Sequence, residues 1–252
     1  MIKFFRKIRQ NLLSEGKTGK YLKYAIGEII LVVIGILMAV QINNWNENRK
    51  NNIIKQSLLE NLIVDLKKDI ENLEALNNVN TNAEKEGFYL ASFLDNTLNE
   101  VDTLRLANSI IFCGYIPNKS IISSTYNDLI NSNNIHLFND VKLKRLLDDY
   151  YVPNLWSERM NARILKTVWY DYRDEMSKFH SPKLYQDFYE IQKYIDAYNA
   201  SKYDVQWYKI QHNEYLKTQV GMIGAYRILI RQDFEAYIQK AKVITNYLEN
   251  LK

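Results

Sequence analysis

The sequence predicts an all-α protein in which an N-terminal transmembrane helix continues into an antiparallel helical bundle. Three observations predict it. One run, Ile29 to Val40, carries no polar side chain. Beyond it, apolar residues recur at spacings of three and four along three long stretches, the period of an amphipathic helix. Turn formers are scarce. The 252 residues hold 8 Gly and 3 Pro, and just Gly87, Gly114, Gly221 and Gly224 follow the apolar run. That is too few for many tight β-turns or a Gly-rich nucleotide loop.

Extended to Tyr24 and Ile42, the apolar run gives nineteen residues, about 28 Å of helix and enough for a hydrocarbon core. Its branched aliphatics outweigh the single carboxylate, Glu28, near one edge. Tyr24 and Trp45 lie where interfacial aromatics are expected. A signal-peptide core and a soluble core helix are the competing readings of such a run. Against cleavage, LMAVQINNW offers Ala39 without a small partner.

Orientation follows from charge. Residues 1–24 carry seven basic side chains (Lys3, Arg6, Lys7, Arg9, Lys17, Lys20, Lys23) against Glu15. Of the formal net charge of +4, that segment holds +6 and the remainder −2. The basic side stays in the cytoplasm. The expected division is therefore a basic cytoplasmic tail (1–23), a transmembrane helix (24–44) and an exported helical-bundle domain (45–252). The location is the cell inner membrane, single-pass, with the C-terminal domain periplasmic. Membrane lipid is then the first partner, and an acidic domain is a poor match for nucleic acid.

Two details of the N-terminal region bear on function. Ile2, Phe5, Ile8 and Leu12 recur at helical spacing among the basic residues, a pattern suited to lying on an anionic leaflet. The competing reading is that these residues are topology determinants alone. Glu28 is an ionisable residue inside the span. It reads either as functional or as a carboxylate snorkelling toward Lys23 or Lys20. Gly27, Leu31, Gly35 and Ala39 share one face, on which another helix could approach. SEGKTGK lacks the first Gly of a phosphate loop, position 11 being Asn.

The elements of the outer domain follow in order. Leu59, Leu62, Leu66, Ile70, Leu73 and Leu76 form a stripe continuous with the anchor, one helix that reaches Asn80 or runs beyond Phe88, with Asn77–Asn82 as its expected break. Leu104–Phe112 and Ser123–Ile130 are short helices, interrupted by Gly114 and Pro117. Residues 132–134 make a turn, IHLF after it reads as extended, and Asn139 or Asp140 caps the next helix. A stripe from Leu143 through Trp156, Met160 and Ile164 to Phe179 is split or kinked by Pro153 and ends at Pro182. A helix over Tyr185–Asn199 and a loop near Ser201–Asp204 come next. The last stripe runs Leu216, Val220, Ile223, Ile230, Phe234, Tyr237, Ala241, Ile244, Leu248 and Leu251. Such stripes bury their faces only against each other, as in a bundle or coiled coil.

The stretches MIKFFRKIRQNLL and KYLKYAIGEIILVVIGILMAVQINNWNE resemble the opening of a bacterial membrane family common in the Bacteroidetes, domain-of-unknown-function family 6090. TYNDLINSNNIHLFNDVKLKRLLDDYY is similar to that family's middle region. The resemblance implies an inner-membrane protein with a periplasmic domain. It supplies neither an activity nor functional residues.

Searching for chemistry returns no catalytic, cofactor-binding or metal residues. His136, His180 and His212 are preceded at the third position by Asn133, Ser177 and Lys209, so the Glu-x-x-His pairs of a di-iron bundle are absent. The single cysteine, Cys113, rules out an internal disulfide and a Cys-ligated zinc site, and reads as a small buried hydrophobe. Asp148, Asp149, Asp171 and Asp174 read as solvated helix faces. Tyr185, Tyr189, Tyr194, Tyr198, Tyr203 and Tyr208 form either an aromatic binding surface or half-buried helix contacts. The expectation is a non-enzymatic interaction, scaffold or sensor-like module with a protein partner or a homo-oligomer. The alternative is an envelope enzyme whose site would gather His136, Asp140 or His180.

Overall fold

A computed structural model describes residues 18–115, 118–152, 166–185 and 203–251. Every regular element among them is helical. The chain divides into two compact units, Met1–Ser57 and Leu58–Lys252, and helix α1, Thr18–Leu94, contributes to both.

In the first unit, α1 carries the apolar run. Its most hydrophobic window has a mean hydropathy of 2.5 and none of it is buried. Ile29, Leu31, Leu37 and Met38 are each more than half exposed, and Trp45 is 67% exposed. The helix of a soluble core would be covered, so exposure on all sides fits a lipid-facing span. Among the described residues this is one helix long and apolar enough to cross a membrane. The basic residues 1–17 lie outside the described residues.

The second unit is built on two long helices, the later part of α1 and α7 (Glu214–Glu249). They run antiparallel, because partners rise along one helix as they fall along the other. Lys67 pairs with Glu249, Glu74 with Lys242 and Glu84 with Arg231. Between them, Leu73, Phe234 and Ile238 form the middle of the core. Around Leu59, Leu62, Ile63 and Leu66 of α1 pack α3 (Ser124–Asn131), a 3₁₀ turn (Asn134–Phe138), α4 (Val141–Tyr151) and Ala241, Ile244 and Leu248. Around Leu90, Phe93 and Leu94 pack α2 (Thr103–Cys113), α5 (Lys166–Met176), α6 (Trp207–Gln211) and the start of α7. A further 3₁₀ turn, Ser177–Phe179, follows α5. Each fully buried Leu of this spine contributes roughly 1.5–3 kcal/mol by leaving water.

Local chemistry sets the helix starts. Asp102 Oδ1 accepts from Arg105 N (3.0 Å), Asp140 Oδ1 from Leu143 N (2.9 Å) and Asn213 Oδ1 from Leu216 N (3.0 Å). Each satisfies an N–H that the first turn leaves open. Asp140, not Asn139, is therefore the cap of α4.

Two expectations are corrected. The helix does not break at Asn77–Asn82; α1 runs on to Leu94. Asn80 is fully buried there and bonds across to α7. The chain leaves the helix two residues beyond Leu94, where Asn96 takes a left-handed conformation (φ 55°), a common helix stop. IHLF is not extended, since residues 134–138 form the 3₁₀ turn, held between the left-handed Asn133 and Asn139. Pro153, Trp156, Met160, Ile164 and positions 186–199 lie outside the described residues. The stripe they were expected to join is helical on either side, in α4 and α5.

Candidate functional site

Two clusters of polar groups lie inside the domain. Arg227 is fully buried on α7, one turn after Ile223. Its guanidinium donates to the carbonyls of Phe112 (2.7 Å), Cys113 (3.2 Å) and Tyr115 (2.6 Å) and to Asn80 Oδ1 (3.1 Å). Asn80 Nδ2 returns a bond to the Arg227 carbonyl (3.1 Å). The cation thus sits on the open carbonyls at the end of α2, the negative end of a helix dipole. Burial pulls the guanidinium down to about 10, still charged at neutral pH. Its face lies 5.3 Å from the Trp169 ring. This cluster staples α1, α2, α5 and α7.

A second cluster closes the opposite end. Asp69, fully buried, accepts from Ile122 N (2.9 Å) and from Tyr150 Oη (2.9 Å). Burial raises its carboxyl, and those two donors oppose the rise. Asp65 accepts from Thr125 Oγ1 (2.6 Å), and Tyr126 donates to Asp148 (3.0 Å). Burial, with Asp148 alongside, pushes Tyr126 up to about 12. Tyr126 stacks on Tyr151 with ring centroids 4.5 Å apart. Hydroxyls that point at carboxylates and cannot ionise are donors, so this cluster ties α3 and α4 to α1.

The residues singled out as candidates for chemistry are dispersed. His136 is exposed and bonds the Asn133 carbonyl of its own turn. Asp140 caps α4 and accepts from Tyr247 (2.8 Å). His180 is buried, bonds the Ser181 carbonyl through Nδ1 (3.0 Å) and packs against Tyr185. No hydrogen bond or ion pair joins any two of these among the described residues. His212 is exposed beside Tyr208. Cys113 is fully buried, and burial pushes its thiol up to about 12, far from a nucleophile's range. Among the described residues no three His, Cys, Asp or Glu side chains gather as metal ligands. Asp149 pairs with Lys240 at the surface and Asp148 is spent on Tyr126.

The tyrosine-rich stretch forms no platform among the described residues. Tyr203 is buried and Tyr185 packs on the core, whereas Tyr208 is 75% exposed. Tyr189, Tyr194 and Tyr198 lie outside the described residues. Beside α2, a groove of about 390 Å³ is lined by Lys85, Glu86, Asp102, Arg105, Asn108 and Phe112. Two of its charges are paired: Glu86 accepts from Arg105 Nε (3.2 Å) and Ser109 Oγ (2.7 Å), and Arg105 lies 3.9 Å above the Tyr89 ring. In the anchor, Gly27 and Gly35 have open space where a Cβ would stand.

α7 also turns a face outward. Tyr215, Met222, Leu229 and Val243 are 47%, 38%, 51% and 53% exposed, and Ala236 is exposed among them. These five stand seven residues apart. Three residues after each come Thr218, Ala225, Gln232, Gln239 and Asn246, all exposed and none charged. A solvated helix face normally carries charge at such positions. Ten positions without a charge over about nine turns make a seam of the kind another helix fits. The sequence stripe along α7 identified the buried face; it did not separate this second face from it.

No curated protein and no solved structure matches the chain. The matching family model is described as a family of unknown function (DUF6090) and covers residues 28–158. This match takes in most of α1 and the whole of α2, α3 and α4, more than half of the chain, and the chain belongs to that family.

Proposed function

We propose that the protein is a membrane-anchored interaction module of the cell envelope, not an enzyme. In this reading residues 24–44 cross the inner membrane once, residues 1–23 stay in the cytoplasm and residues 45–252 form a periplasmic helical domain. The asymmetry of Lys and Arg around the span supports the orientation. The observation that carries the functional reading is the strip along the outer face of α7 from Tyr215 to Asn246, ten exposed positions without a charge, flanked by the exposed Glu235 and Lys242. A helix in a monomer gains nothing by excluding charge from a face in water, whereas one that packs against a partner helix must. The interior clusters support the same reading, because the Arg227 guanidinium is bonded to backbone carbonyls and Asn80, and Asp65, Asp69 and Asp148 to hydroxyls, in contacts that join helices.

The test places a photo-cross-linking side chain at Leu229 in the full-length chain in its native membrane, with Lys144, exposed on α4, as the control position. Discrete adducts to a second polypeptide at Leu229 and none at Lys144 are expected. Absence of any intermolecular adduct at Leu229, or a cross-link confined to one chain, would refute the docking face.

A further inference from the structure

Between Tyr215 and Asn246, every exposed residue of α7 falls on three of the seven positions of a heptad. With Tyr215 and Leu229 at a, these are a, d and the g position before each a. The geometry points to a second copy of this chain as the partner on that face, with the two α7 helices parallel and in register. This assignment rests on the docking-face reading above and names its occupant.

Charge is the first argument. In a parallel pair, each g residue faces the e residue five places further along the partner. In register, Glu235 meets Lys240, Lys242 meets the Tyr247 ring and Ile228 meets Asp233, while Glu214 lies opposite the buried Gln219. No like charges meet. Sliding one helix by a heptad places Glu235 against Asp233 and Lys242 against Lys240 on one flank, so stagger is opposed. Lys240 already sits 2.9 Å from Asp149 at the surface, with its side chain 38% exposed, and remains open to a second acid.

Packing is the second argument. Register places Leu229 on Leu229, Met222 on Met222 and Val243 on Val243. An antiparallel pair sets a positions against d positions, and here d is Gln or Asn at three of five places. Apolar side chains would then be covered by amides. The parallel pair keeps apolar layers together and leaves Gln232, Gln239 and Asn246 to bond their own copies.

Area decides how strong the pair is. The seam is about 47 Å long at 1.5 Å per residue. A strip about one helix wide then buries roughly 900 Å² over both partners, below the usual 1,200–2,000 Å² of a stable complex. Two chains held in one membrane meet at an effective concentration far above that in solution. The pair therefore forms in the bilayer and dissociates on dilution into excess detergent.

The test uses the full-length chain in phosphatidylethanolamine–phosphatidylglycerol vesicles, with Cys113→Ala removing the native thiol. Tyr215→Cys, Leu229→Cys and Val243→Cys are introduced singly and oxidised. All three are expected to give disulfide-linked dimers, at least tenfold more than Lys144→Cys on α4. Glu235→Lys should lower the Leu229→Cys dimer several-fold, and adding Lys240→Glu should restore it. Dimers from Leu229→Cys without any from Tyr215→Cys or Val243→Cys would overturn the parallel pair, since an antiparallel one separates the ends by about 42 Å. Photo-adducts to a different protein at Leu229, with no disulfide dimer, would overturn self-association and leave the docking face standing. Neither kind of adduct would remove both.

Discussion

Replacing Arg227 with leucine tests the account of the interior most sharply. Arg227→Leu removes donors from the carbonyls of Cys113 and Tyr115 and from Asn80 Oδ1. The Phe112 carbonyl keeps one bond, from Tyr115 N (3.1 Å). Each buried acceptor left open costs about 1–3 kcal/mol. With three acceptors opened, and relief of the buried guanidinium's desolvation offsetting part of the loss, the net cost is about 3–5 kcal/mol. For a domain with a urea m-value of about 2 kcal/mol/M, the midpoint falls by about 1.5–2.5 M. Arg227→Lys keeps the charge and, with a compact ammonium, serves fewer of the four acceptors, so it should fall between. Asn80→Leu combined with Arg227→Leu should cost less than the two single changes added, because the residues bond each other twice. Urea unfolding of the full-length chain in detergent, followed by Trp169 and its fellow tryptophans, reads these shifts. A midpoint loss under about 0.5 M for Arg227→Leu, or full additivity with Asn80→Leu, would refute the staple.

Two further outcomes follow from the buried titratable groups. Cys113 should resist alkylation at pH 8 in the folded protein and react at an ordinary rate once urea unfolds the chain; fast labelling of the native state would contradict its burial. His180 is held below its ordinary 6.5 by burial, opposed by its bond to the Ser181 carbonyl. That bond fixes the proton on Nδ1, and buried Nε2 has no acceptor among the described residues. A depressed folded value means that the unfolded chain takes the proton first. Stability is thus complete above about pH 6.5 and is lost as pH falls from there through the folded value, at no more than about 1.4 kcal/mol per pH unit. His180→Gln should flatten that slope in urea midpoints taken from pH 7.5 to 5; an unchanged slope would place its origin elsewhere.

The apolar run, the stripes of the two long helices and the start of α4 at Asn139 or Asp140 were legible because each is written locally, in composition, in a period of three to four, or in one side chain before a helix. The clusters were not, although the stripe left a mark of one. Along α7 the apolar steps pass from Ile223 to Ile230, and the skipped position on that face is Arg227. Along α1, Asp69 occupies the core-facing place one turn after Leu66. Polar residues on an apolar face look like noise until a distant partner is known, and the partners of Arg227 are more than a hundred residues away. The same distance explains Asn77–Asn82. Asn is a weak helix former, yet Asn80 gains a buried bond to Arg227 and the helix continues. The outer seam of α7 needed the fold as well, because Leu229 and Ile230 are neighbours in sequence and only packing decides which of them faces solvent.

The central claim is that the apolar part of α1 holds this domain outside the cytoplasm. It is tested most directly by protease treatment of intact spheroplasts carrying the full-length chain with an N-terminal tag, followed by a carbonate wash of the membranes. A short tagged fragment that stays with the bilayer while the domain is digested is the predicted result. A full-length chain that survives the protease, or a tagged chain that leaves with the wash, would contradict it.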